Sequence, residues 1–141
     1  MTTTPQAFVP QPEELDLEFY KATVAAEALC VQRCSACGTW MHPARYYCPS
    51  CASPDFSFEK VSGRASVYSY TVSHYTTEAA WKSLLPYVTV VAELDEGPRI
   101  VAAARGIAPD GIAIGQRLRI VTENRSTEFA FFWAEPDEGG K

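Results

Sequence analysis

The chain has 141 residues, 47% of them hydrophobic and 12% aromatic, enough apolar material for one medium domain or two small modules around a real core. Twelve basic against seventeen acidic residues give a net charge of −5, which argues against an affinity built on broad phosphate neutralisation. The longest apolar runs, such as Phe129 to Ala134, are far too short to cross a bilayer as a helix.

Residues 1–12 form a Thr/Pro/Gln-rich leader, expected to be mobile. From Met1 to Gln11 there is no lysine, no arginine and no apolar h-region, so the start does not read as a signal peptide and a cytoplasmic location is expected. Pro12 to about Ala26 predicts a short helix. Acids crowd its first turn, where the helix dipole favours them, and Leu15, Phe19 and Ala22 recur at helical spacing. Ala28 to Arg33 predicts a strand running into a small unit from Cys34 to Cys51.

After Asp55 the pattern turns all-β. Val61 to His74 predicts a long strand, bent early at Gly63. Val88 to Leu94 and Arg99 to Arg105 flank Asp95-Glu96-Gly97-Pro98, a turn signal that predicts a hairpin. Arg117 to Asn124 and Thr127 to Ala134 supply two more strands. Five strands in so short a span fit the partly open barrel of the OB-fold, with an SH3-like barrel as the competitor. Between them, Tyr75 to Pro86 is either a capping helix or a long loop. The expected fold is therefore mainly β: helix plus rubredoxin-like ribbon over 13–57, OB-fold over 58–135, and a flexible tail over 136–141.

The chemistry concentrates in Cys34-Ser35-Ala36-Cys37-Gly38 and Cys48-Pro49-Ser50-Cys51. Two residues between thiolates let one tight turn aim both sulfurs at a point, and two such turns face each other as a tetrahedral S₄ cage. Five cysteines, an odd number, with no export signal favour metal over disulfides. Zinc leads, as Cys34, Cys37, Cys48 and Cys51 leave no open coordination position and make the ion structural. Iron, two disulfides and unliganded thiols remain the alternatives. Gly38 stands where the knuckle needs a positive φ, and Ala52 occupies the matching place after the second pair. Cys30 reads as a buried thiol, and His42 as a loop histidine rather than a spare ligand.

Other catalytic signals are sparse. The two histidines, His42 and His74, belong to no recognised motif, and no G-x-S-x-G, Walker loop or H-E-x-x-H occurs. Strict alternation puts Arg64, Tyr68, Tyr70 and His74 on one face of the long strand, suited to stacking on a base or an adenine ring. Arg117 and Arg119 share another face. Phe129 to Ala134 is apolar on both parities, so one face needs cover from the zinc unit, the first helix or another chain.

Several of these segments together are recognisable. Phe19-Tyr20 leads into the first cysteine pair, and Pro43-Ala44-Arg45 precedes the second. Then come Gly63-Arg64-Ala65-Ser66-Val67-Tyr68-Ser69-Tyr70-Thr71, Leu85-Pro86-Tyr87 and Glu93-Leu94-Asp95-Glu96-Gly97. In this order, from about Glu14 to Trp133, the chain resembles the zinc-ribbon plus OB-fold family called domain of unknown function 35. Pro43-Ala44-Arg45 departs from the family's frequent Pro-Pro-Arg.

The resemblance implies a non-catalytic accessory subunit with a structural zinc ion and no activity alone. Its implied partner is a thiolase-superfamily enzyme: a thiolase, an acyltransferase, or a lipid-transfer-protein-type aldolase of steroid side-chain degradation. The resemblance further implies a hetero-oligomer in which this chain helps form an acyl-CoA site. Arg64, Tyr68, Tyr70, His74 and Trp81 are the nominated acyl-CoA or partner contacts. From Lys60 to Arg125 eight basic residues outnumber six acidic ones, a local net of +2 that suits a CoA nucleotide. A single-stranded nucleic-acid-binding module is the alternative, against which the overall acidity speaks.

Overall fold

The computed structural model describes residues 9–137, so most of the expected leader and tail, residues 1–8 and 138–141, lies outside the described residues. Helix α1 spans Glu14–Ala26, with Glu14 and Asp16 in its first turn. Leu15, Phe19 and Thr23, four residues apart, make its buried stripe. Thr23 takes the inner position that the hydrophobic pattern assigned to Ala22, because its hydroxyl accepts the Cys30 N–H at 3.2 Å and so satisfies a buried donor. Glu27, at φ 53, ends the helix, and the amides of Glu27 and Ala28 bond back to Val24 and Thr23.

The ribbon is a three-stranded antiparallel sheet of β1 (Cys30–Cys34), β2 (Trp40–Met41) and β3 (Phe56–Lys60), in the order β2-β1-β3. The sequence pattern had indicated only β1. Strand β2 has two residues, and β3 is half-buried or exposed throughout, so neither carries the alternation that marks a strand.

Five strands then close into a barrel: β4 (Arg64–Ser73), β5 (Tyr87–Leu94), β6 (Arg99–Ala104), β7 (Arg117–Asn124) and β8 (Ala130–Pro136), ordered β4-β5-β6-β8-β7. The barrel is closed where a partly open one was expected. Gly63, at φ +81, turns the chain, so β4 starts at Arg64 rather than Val61; a Cβ there would lie 3.3 Å from the Ile120 carbonyl. Strand β8 starts at Ala130 rather than Thr127, because the Arg125 and Ser126 amides turn back onto the Phe129 carbonyl. The hairpin between β5 and β6 turns at Asp95–Pro98 as its sequence predicts, and Arg117 grips Asp95 with two bonds of 3.0 and 2.9 Å.

One hydrophobic core joins these parts. Phe19 from α1 and Leu29 and Val31 from the ribbon lie in the same buried cluster as Val90, Leu94, Leu118 and Ala134 of the barrel. The Phe19 ring sits 6.0 Å from Phe132, 6.3 Å from Phe58 and 5.0 Å from His42. Between β4 and β5 the long loop carries one helical turn, α2 (Ala79–Lys82), whose Trp81 covers Tyr87 and Phe131. Among the described residues, no helix is long and apolar enough to cross a membrane.

Candidate metal centre and aromatic cleft

The two cysteine turns are built alike. In the first, the Cys34 N–H bonds to the Thr39 carbonyl at 2.8 Å, and the Gly38 N–H to the Cys34 carbonyl at 3.0 Å. In the second, the Cys48 N–H bonds to Ser53 at 3.0 Å, and the Ala52 N–H to Cys48 at 2.8 Å. Gly38 sits at φ +83 and Ala52 at φ +68, so both knuckles close through the left-handed region. The Cys37 and Ser50 amides point at the Cys34 and Cys48 sulfurs, at 3.4 and 3.3 Å.

Folding brings the four sulfurs together. The Sγ atoms of Cys34 and Cys51 are 3.6 Å apart, as are those of Cys37 and Cys48, and all four lie within 4.8 Å of one another. A tetrahedral ion with metal–sulfur bonds of about 2.3 Å requires sulfur–sulfur separations of about 3.8 Å, so the cage fits such an ion. Thiolates this close repel. Burial raises the Cys48 pKa, but amides of Cys51 and Ser50 and the neighbouring thiols outweigh it and bring the value to about 6. At Cys51 the Ser53 amide favours the thiolate, yet the other three thiols push the pKa up to about 12. A divalent cation removes that conflict and holds all four as thiolates.

Two contacts brace the cage from outside. The buried Gln32 side chain bonds both backbone groups of Arg45, donating to its carbonyl at 2.6 Å and accepting from its N–H at 2.7 Å. Arg33 donates to the Gly38 carbonyl at 3.0 Å and lies 4.6 Å from the Trp40 ring centre. His42 lies apart from the sulfurs, against Phe19, and burial lowers its pKa against the opposing charge of Asp16. Cys30 is buried, and burial raises its pKa.

The structure does not gather the five nominated contact residues. A β-bulge at Tyr68 breaks the alternation on which their shared face depended. Before the bulge Val67 pairs with buried Ala92; beyond it Tyr70 pairs with buried Val90, yet its own side chain stays 41% exposed. Arg64 and Tyr68 stay on the outside, where the Arg99 guanidinium stacks 3.6 Å over the Tyr68 ring. His74 follows β4 in an exposed position. Trp81 packs on Tyr87 and Phe131.

Trp81 instead forms a wall of a feature that the sequence reading missed. Strands β6 and β8 run parallel and pair only at Ala103–Trp133 and Ala104–Ala134. Ahead of those pairs lies a cleft of about 420 Å³, walled by Tyr20 of α1, Trp81 of α2, and Tyr87, Thr89, Phe129 and Phe131 of the barrel. The one sequence signal for it was the doubly apolar run from Phe129. Its residues are covered by the chain itself: Phe129 and Phe132 by Tyr20, Phe131 by Trp81, and Trp133 by Arg105.

Comparisons with known proteins follow the same division. Residues 24–57 match a family model described as the ChsH2 rubredoxin-like zinc ribbon domain, and residues 58–123 match the ChsH2 C-terminal OB-fold domain. The chain is 40% identical over 112 residues to a protein of Thermomonospora curvata named probable enoyl-CoA hydratase alpha subunit, covering 79% of this chain and 34% of that protein. It is 37% identical over 90 residues to a DUF35 domain-containing scaffold protein of Methanocaldococcus jannaschii, covering 63% of each. The chain thus spans about a third of the first relative's length and under two thirds of the second's. A solved structure titled Ltp2-ChsH2(DUF35) aldolase superposes with a TM-score of 0.78 at 34% identity, over 90% of this chain and 98% of that one.

Proposed function

Because the chain belongs to the DUF35 family of zinc-ribbon plus OB-fold proteins, we propose that it is a non-catalytic accessory subunit of a thiolase-superfamily enzyme acting on acyl-CoA. The observation that carries this reading is the likeness, over nearly the whole of both chains, to the DUF35 part of an aldolase complex. The scaffold name of the archaeal relative supports it. So does the chemistry of the site. A tetrathiolate cage with every ligand position filled holds a fold and leaves no place for substrate, and we take zinc as its ion.

Charge supports a protein partner over a nucleic-acid strand. Arg33, Arg99, Arg105 and Arg117 each face a carboxylate, on Glu59, Glu93, Glu135 and Asp95. These pairs break up any continuous cationic groove, which single-strand binding needs. Within this reading the complex works in the cytoplasm as a hetero-oligomer, Arg64 and Tyr68 are the contacts for a CoA nucleotide, and Trp81 serves the acyl end.

The test is co-expression with thiolase-like proteins from the same genome, followed by affinity capture and size-exclusion chromatography. A stoichiometric complex with one of them is expected, with acyl-CoA turnover by the complex and none by this chain alone. A chain that elutes as a monomer beside every such candidate would overturn the proposal.

A further inference from the structure

Strand β4 is paired on both sides for only part of its length. Against β7 it pairs at Arg64, Ala65 and Ser66, and the Val67 backbone bonds to Gly115 and Gln116. Against β5 it continues through Ser69 to Ser73. Among the described residues, no strand therefore borders the other edge of β4 from Tyr68 to Ser73. Tyr68, Ser69, Tyr70 and Thr71 are exposed there.

Proteins usually guard such an edge with charge, proline or a covering element, because its free N–H and C=O groups are a template for another strand. The stretch Tyr68-Ser69-Tyr70-Thr71-Val72-Ser73 holds no charged residue and no proline, and its aromatic and β-branched members favour pairing. It also complements itself. Two copies related by a two-fold axis pair antiparallel only with one residue opposite its own counterpart. With Thr71 at the axis, Thr71 faces Thr71, Tyr70 faces Val72, and Ser69 faces Ser73. Threonine pairs and aromatic with β-branched pairs are among the stabilising cross-strand combinations. The nearest arginine, Arg99, stacks 3.6 Å over Tyr68 and would lie at opposite ends of the paired segment in the two copies, so like charges do not meet.

We propose that the free edge of β4 joins two copies of this chain, antiparallel and centred on Thr71, through main-chain hydrogen bonds between their barrels. The pairing goes beyond the accessory-subunit reading and needs no enzyme partner.

The test is size-exclusion chromatography with light scattering on the purified, metal-loaded chain over a concentration series. The mass should rise with concentration to twice the 15.5 kDa of one chain. Thr71→Lys and Thr71→Glu each set like charges against one another at the axis, so each variant alone should stay at the mass of one chain. An equimolar mixture of the two should regain the doubled mass, because lysine then faces glutamate. Thr71 is exposed, and thermal melts check that both variants fold. A single-chain mass at every concentration, a dimer that both variants retain, or a dimer that mixing does not restore overturns the proposal. Loss of capture by a thiolase-like protein in both variants, with the parent a single chain, assigns the edge to that enzyme and likewise overturns it.

Discussion

Ala52 holds a left-handed backbone, φ +68, at the position where the first knuckle has Gly38. An L side chain in that region costs about 1–2 kcal/mol, and glycine avoids the cost while adding about 0.4–1 kcal/mol of freedom to the unfolded chain. Ala52→Gly should therefore stabilise the metal-loaded protein by roughly 0.5–1 kcal/mol, read as a higher urea midpoint with an unchanged slope. A lower midpoint would mean that the Ala52 methyl contributes packing beyond the strain it causes. This position was legible from spacing alone, because a knuckle demands the same turn after each cysteine pair. Tyr68 was not. A bulge leaves no mark in an alternating Ser/Tyr stretch, so the spacing alone could not show that the parity of β4 changes between Val67 and Ser69.

At the scale of the element, the ribbon cannot hold itself together by strands. Strand β2 is two residues long, and the buried cluster around the cage consists of Cys34, Met41 and Cys48 with Phe56 beside it. Metal ligation must supply the missing folding energy. Elemental analysis should find one zinc per chain. Removing it with a strong chelator under reducing conditions should lower the thermal midpoint, and zinc alone should restore it. Cys37→Ser and Cys51→Ser, at the exposed ligands, should bind the ion more weakly without leaving a buried cavity. Iron in the purified protein, or a chelator-treated chain with an unaltered melt, would contradict a structural zinc. Strand β5 was the most readable of the barrel because it has one wet and one dry face, buried and half-buried residues alternating throughout. Strand β3 shows no such alternation. Its place is set by pairing with β1, a long-range contact that no local pattern encodes.

For the whole molecule, the decisive contact is Phe19. Its ring touches His42 and Phe58 in the ribbon and Phe132 in the barrel, while its own helix packs across both. Sequence periodicity put Phe19 on the buried face of a helix, but the partner across that face is a property of the closed barrel and the docked ribbon together. The cleft has the same origin: Tyr20, the next residue, reaches β8 from the same helix, so seating α1 both plugs the core and finishes a cleft wall. Truncating a buried phenylalanine costs about 3–5 kcal/mol, a large share of the roughly 5–15 kcal/mol that holds a domain together. Phe19→Ala should therefore be strongly destabilised, and Phe19→Leu less so. Hydrogen exchange separates two ways of losing that stability. If one core joins the modules, protection should fall together at Val31 in the ribbon and at Val90 and Ala134 in the barrel, all three inaccessible to solvent in the parent. Loss at Val31 with full protection at Val90 and Ala134 would instead mean that the barrel is stable by itself and the ribbon only leans on it. In that case seating of α1, and with it the Tyr20 wall of the cleft, could be lost while the barrel remained folded.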